Sequence, residues 1–303
     1  MDDNNTRQTF NPLTQIAFLL LLAGGGIVFG TIITLVIAAA SLHVPMLNIA
    51  DELLKPENVQ ISRWIQFTAT FFYMAVPAII FSFIISKKTF AALSFGKKVS
   101  GSQLMWVAAI VFTALLISGA LGELNSMIPL PGAWAEKFKA MEDEYNKQVL
   151  ALSSMKTFTD YIISLVLIAL LPAMFEEMFF RGAMQQVLIK LFGSALAGIL
   201  ITSIIFSAIH LSFYGFLPRL FLGMMLGYIF YYSKNLWLNI LAHFLNNAAA
   251  LTQMYLLSKE GKLNEETMND TFPIYYGLIA AAAFVLAFKM FRKKSEQLAI
   301  GYQ

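Results

Sequence analysis

Long stretches of apolar residues, separated by short polar or lysine-bearing segments, run through the chain from Leu13 onward. Several reach ~20 residues, the length a helix needs to cross ~30 Å of hydrocarbon at ~1.5 Å per residue. Hydropathy places spans at 13–42, 63–86, 102–122, 159–182 with a helical extension toward 192, 194–212, 216–233, 236–257 and 273–291. The pattern predicts an all-α polytopic membrane bundle of about eight transmembrane helices. The first run is longer than a signal-peptide core and lacks a clear small-residue cleavage site, so it reads as a retained span, softened by Gly24, Gly25 and Gly26. Residues 133–152 break the pattern. They are polar enough to form an amphipathic helix lying at the surface, either a solvated connector or a gate for substrate.

This division gives N-terminal spans and the connector over 1–158, a core of four spans over 159–257, and a last span with a basic tail over 258–303. Eight spans return both termini to one side. Lys87, Lys88, Lys97, Lys98, Lys190, Lys234, Lys289, Arg292, Lys293 and Lys294 share that side, which the positive-inside rule assigns to the cytoplasm. The opposite loops carry Asp51, Glu52, Glu57, Glu136, Glu142, Asp143, Glu144, Glu260, Glu265, Glu266 and Asp270. Lys137, Lys139, Lys147, Lys156, Lys259 and Lys262 dilute the bias. An eight-span chain without targeting extensions points to a bacterial inner membrane.

Composition narrows the function classes. Of 303 residues, 58% are hydrophobic and 13% charged, against the ~25% charged residues of a soluble domain. Cysteine is absent, which excludes disulfides, thiolate metal sites and a cysteine nucleophile. The net charge of +3 comes largely from lysines flanking spans, where they meet anionic lipid headgroups; nucleic-acid binding has no support. No internal repeat or low-complexity tract is evident.

Three short patterns place polar chemistry inside apolar runs: Glu176-Glu177-x-x-x-Arg181, Phe206-x-x-x-His210 and His243-x-x-x-Asn247. A charge at mid-bilayer costs ~2.5–3.5 kcal/mol on insertion scales and marks a functional site by default. Adjacent helical residues point ~100° apart, whereas an i, i+4 pair shares a face. Glu177 is therefore expected to pair with Arg181, leaving Glu176 free as a general base toward water. With a turn at Gly193, Glu176 and His210 each lie ~25 Å from it along antiparallel helices, hence level with one another. Phe206, one turn before His210, would pack against the imidazole. His243 and Asn247, with Asn246 close by, would project an imidazole and an amide into the same cavity, the donors suited to an oxyanion. Helix packing through polar contacts is the competing reading of these side chains. His43, in the first loop, reads as a surface residue.

These motifs, in this order on successive apolar segments, with the Phe180-Arg181-Gly182 context and the Leu241-Ala242-His243-Phe244-Leu245-Asn246-Asn247 run, resemble the CPBP family of intramembrane proteases. That family comprises type II CAAX prenyl endopeptidases and bacteriocin-processing or immunity proteins. The resemblance covers about 161–251; the first three spans and 121–158 carry no recognised motif. It implies an intramembrane endopeptidase acting on a membrane-associated or lipidated peptide or protein. Glu176 and His210 would activate water, His243 and Asn247 would bind the oxyanion, and Glu177 and Arg181 would be supporting partners. The family's metalloprotease label implies a Zn²⁺ alternative, with Glu176, His210 and His243 as ligands. The His-Glu-x-x-His signature is absent, and metal-free hydrolysis is the favoured expectation. A non-proteolytic scaffold or immunity factor, and a proton-relaying transporter, are the alternatives from other classes.

Overall fold

The computed structural model describes residues 10–96, 98–264, 267 and 273–300. Lys97, Glu265, Glu266 and Asp270, used above to assign sides, lie outside the described residues. The chain folds into long helices: α1 Pro12–Leu42, α2 Pro56–Ile85, α3 Gly101–Ser126, α4 Gly132–Leu152, α5 Phe158–Phe192, α6 Ala195–Ala208, α7 Phe216–Ser233, α8 Leu236–Lys259 and α9 Ile274–Ile300. No β-strand occurs among the described residues. The protein is a helical membrane bundle.

Local chemistry sets the helix ends. Asn11 caps α1 through Thr14 N at 2.8 Å, with Pro12 in the first turn, where its missing N–H is no loss. Thr157 and Asp160 cap α5 reciprocally, each side chain accepting from the other's backbone N–H at 3.0 Å. Gly193, at φ 63°, ends α5 in the left-handed conformation that glycine adopts without strain, and Ser194 restarts the chain as the cap of α6.

Among the glycines of α1, Gly26 and Gly30 have a packing role. The helix is continuous through Gly24, Gly25 and Gly26. A Cβ at Gly26 would strike the Phe72 carbonyl, and one at Gly30 the Phe72 and Tyr73 side chains. Gly26 and Gly30 thus form a small-xxx-small face that lets α1 and α2 approach closely, as membrane helices do where packing rather than hydrophobicity drives association.

α2 and α5 are locally widened. Phe71–Ala75 is π-helical and precedes Pro77; Leu165–Leu170 is π-helical and precedes Pro172. A mid-helix proline removes one i→i−4 hydrogen bond and crowds the preceding turn, and a wider turn absorbs that conflict. A third π-helical stretch, Met178–Gln185, follows Glu177 directly. Both glutamates therefore lie between two such widenings, a feature frequent at functional sites.

A single core runs through the bundle, from Leu19 on α1 through Phe180 and Leu226 to Phe291 on α9. Outward-facing side chains such as Leu21 and Ile279 are 70% and 71% exposed, leaving an apolar girdle for lipid to cover. Five helices, α1, α2, α3, α5 and α9, are long and apolar enough to cross a membrane. The expected count of eight is therefore approximate. α8 carries buried Asn239 and His243, and α6 is apolar but only 14 residues long. At ~1.5 Å per residue α6 spans ~21 Å, short of the ~30 Å hydrocarbon core.

The brevity of α6 corrects one expectation. His210 is not on a helix continuing to 212: α6 stops at Ala208, and Leu211 takes the left-handed conformation at φ 53°. His210 lies in the turn that follows. α4 covers this turn, with Phe138 stacked on Phe213 at 4.8 Å and Ser212 Oγ donating to Glu142 Oε1 at 3.1 Å. The far end of α4 is tied to α2 by buried Arg63, whose Nε and Nη2 donate to the Leu152 carbonyl at 3.2 and 3.1 Å.

Candidate active site

α5 presents a polar stripe, Glu177, Arg181 and Gln185, each fully buried. α8 presents a facing stripe of Asn239 and His243, also buried, and half-buried Asn247. Both stripes follow i, i+4 spacing, so each helix turns one ridge of hydrogen-bonding groups inward.

Glu177 is the hub of this interior. Its Oε1 accepts from Arg181 Nη1 at 2.7 Å and from His243 Nδ1 at 2.9 Å. Its Oε2 accepts from Asn239 Nδ2 at 3.2 Å. Arg181 Nη2 donates to the Gly223 carbonyl on α7 at 3.0 Å, and Asn239 Nδ2 also reaches the Leu226 carbonyl at 2.7 Å. The guanidinium lies 4.9 Å from the Phe206 ring centre and 5.8 Å from that of Phe180. The carboxylate thus joins α5 to α8, and its partners Arg181 and Asn239 extend the network to α7 and to Phe206 of α6.

This anchoring fixes the state of His243. A carboxylate only accepts, so Nδ1 carries the proton and, in the neutral ring, Nε2 carries the lone pair. Nε2 lies 3.8 Å from Glu176 Oε2, too far for a direct hydrogen bond. Glu176 Oε2 is buried and has no hydrogen-bond partner. Two acceptors face each other across a gap that a water at ~2.8 Å from each would bridge.

His210 reaches the same region by way of Phe206. The turn after α6 folds the imidazole back so that Nδ1 donates to the Phe206 carbonyl at 2.8 Å, which leaves Nε2 as an acceptor. The Phe206 ring lies 5.1 Å from the His210 ring and 5.7 Å from the His243 ring, so both imidazoles pack against it. Asn247 follows one turn after His243, and its Oδ1 accepts from Asn246 Nδ2 at 3.4 Å. His43 is exposed at the end of α1, away from this cluster. No group of three or more His, Asp or Glu among the described residues is placed to hold a metal ion.

Residues 158–249 match the family model described as type II CAAX prenyl endopeptidase Rce1-like. The match supports the resemblance of that stretch to the CPBP family. The Rce1-like family is a protease family. The matched stretch contains all three motifs and spans α5, α6, α7 and the part of α8 that carries His243 and Asn247. No curated protein and no solved structure matches the chain.

Asn239 and Gln185 were not singled out from the sequence. Asn239 binds Glu177, and Gln185 Nε2 donates to the Gly227 carbonyl at 3.0 Å. Their signal was present: Glu177-x-x-x-Arg181 extends by four to Gln185, and His243-x-x-x-Asn247 extends back by four to Asn239.

Proposed function

We propose that the protein is an intramembrane endopeptidase that hydrolyses a peptide bond in a membrane-associated or lipidated substrate without a metal. The observation that carries this reading is the unpartnered Glu176 Oε2 facing His243 Nε2 across 3.8 Å. A water in that gap would give one proton to Glu176 as its oxygen bonds to the substrate carbonyl carbon, with the free Nε2 of His210 as the second acceptor; Glu176 would return its proton to the amine nitrogen as the C–N bond breaks. The attacked carbonyl oxygen would gain negative charge, for which the Asn247 amide is the nearby neutral donor. His243 joins as a donor through Nε2 once that nitrogen is protonated, Glu177 holding its other nitrogen throughout. Glu177 and Arg181 position the ring and take no proton from substrate.

In this reading the chain lies in a bacterial cytoplasmic membrane with both termini in the cytoplasm, following its lysine distribution. The deciding experiment compares newly formed peptide termini in membranes carrying wild type or Glu176→Gln at equal abundance. Termini that appear only with wild type support hydrolysis; identical profiles would leave the protein a scaffold. Activity of the purified protein is expected to survive a strong zinc chelator. Loss on chelation with recovery on added Zn²⁺ would overturn the metal-free mechanism.

A further inference from the structure

A cavity of about 730 Å³ opens between α3, α4, α8 and the turn between α6 and α7. Its lining includes Glu142 and Tyr145 of α4 and Ser212, Gly215 and Arg219 of the turn and early α7. Non-helical backbone at membrane depth persists only where it is buried in protein or lines a water-filled space. The turn at 209–215 follows a helix of only ~21 Å and contributes Ser212, Tyr214 and Gly215 to the cavity wall. His210 stands two residues before Ser212 on the same turn.

Arg219 is the unusual group within it. Its Nη1 is buried without a hydrogen-bond partner, and among the described residues no carboxylate comes within 4.0 Å of its nitrogens. Its guanidinium lies 4.8 Å from the Tyr145 ring centre. A Cβ on Gly215 would overlap the guanidinium, so glycine there leaves the space the charge occupies. A charge at membrane depth with no counter-ion is costly unless a ligand supplies one.

We propose that Arg219 is an anion-reading subsite that takes a carboxylate of the substrate peptide, delivered through the cavity beneath α4. Guanidinium and carboxylate match as a two-pronged, charge-assisted pair. The carboxylate comes either from the peptide's C-terminus or from an acidic side chain. Glu142 Oε2, nine-tenths buried in the same lining and unpartnered, faces the cavity as an acceptor for backbone N–H groups of the bound peptide. The inference rests on the protease reading for the nature of its ligand.

The test is direct binding to the full-length protein in detergent, using Glu176→Gln so that no turnover intervenes. The probes are N-acetyl-trileucine as free acid, the same peptide as C-terminal amide, and N-acetyl-Leu-Glu-Leu amide. At least one carboxylate-bearing peptide is expected to bind ~10-fold or more tightly than the neutral amide, as charged hydrogen bonds do. Which one does so identifies the source of the carboxylate. Arg219→Gln should abolish the preference, and Arg219→Lys should keep part of it. Equal binding of all three peptides, no binding of any, or a preference that survives Arg219→Gln overturns the subsite. The comparison within the Arg219-containing protein stands even where Arg219→Gln fails to fold. Persistence of new peptide termini in Glu176→Gln membranes would instead remove the protease mechanism while leaving a measured carboxylate preference intact.

Discussion

Glu176 and Glu177 are neighbours with the same side chain, and the fold treats them in opposite ways. Glu177 has three donors from two helices and no exposure; Glu176 is 16% exposed and keeps an oxygen without a partner. A buried carboxylate with both oxygens hydrogen-bonded is silent chemically, because neither is free to take a proton from water. One left half-satisfied is poised to act on whatever enters. The contrast teaches that in this bundle chemical identity assigns nothing, and the count of hydrogen-bond partners separates anchor from reactant.

The largest effect that would break the contrast is on rate. Glu176→Gln should lower peptide hydrolysis by ~10²–10⁴-fold, the contribution of a general base, with little change in thermal stability. Substantial residual turnover would remove Glu176 from the chemistry. Arg181→Ala is expected to behave in the reverse manner, because it strands Glu177 as an unpaired buried charge. A loss of ~3–5 kcal/mol of stability should appear as poor expression or a collapsed melting temperature. A stable Arg181→Ala protein would show that Glu177 does not depend on the pair.

Asn247→Ala sharpens the comparison at the donor side. Removal of one oxyanion donor should cost ~10²–10³-fold in kcat, with the fold intact in detergent. Unchanged kcat would assign Asn247 to packing. Asn239→Ala should give the smallest of these effects, ~1–3 kcal/mol of stability, since Glu177 keeps Arg181 and His243. A large loss of kcat without loss of stability would move Asn239 from anchor to chemistry.

Much of the site was legible because its spacing is helical. The i, i+4 rule alone pairs Glu177 with Arg181, found at 2.7 Å. The turn at Gly193, from which the depths of Glu176 and His210 were counted, is present, with a positive φ. The same counting failed on detail. An apolar run does not reveal where α6 ends, because Ile209 and Leu211 suit a span as well as a turn, and the helix gives way at Ala208. Gly26 and Gly30 were equally opaque, since a glycine that loosens a helix and one that admits a neighbour look identical in one chain.

Hydropathy determined by itself that this is a helical membrane protein, because a backbone in hydrocarbon must satisfy its own hydrogen bonds. The motifs determined which polar side chains enter the membrane. Only the tertiary structure decided that His243 gives Nδ1 to Glu177 and turns Nε2 toward Glu176, and that Arg219 lines a cavity with its Nη1 buried and unpartnered. The reason is directional: local spacing fixes which side chains share one helix face, but hydrogen bonds between helices depend on how α5, α6, α7 and α8 pack, and a single chain does not encode that packing in any local pattern.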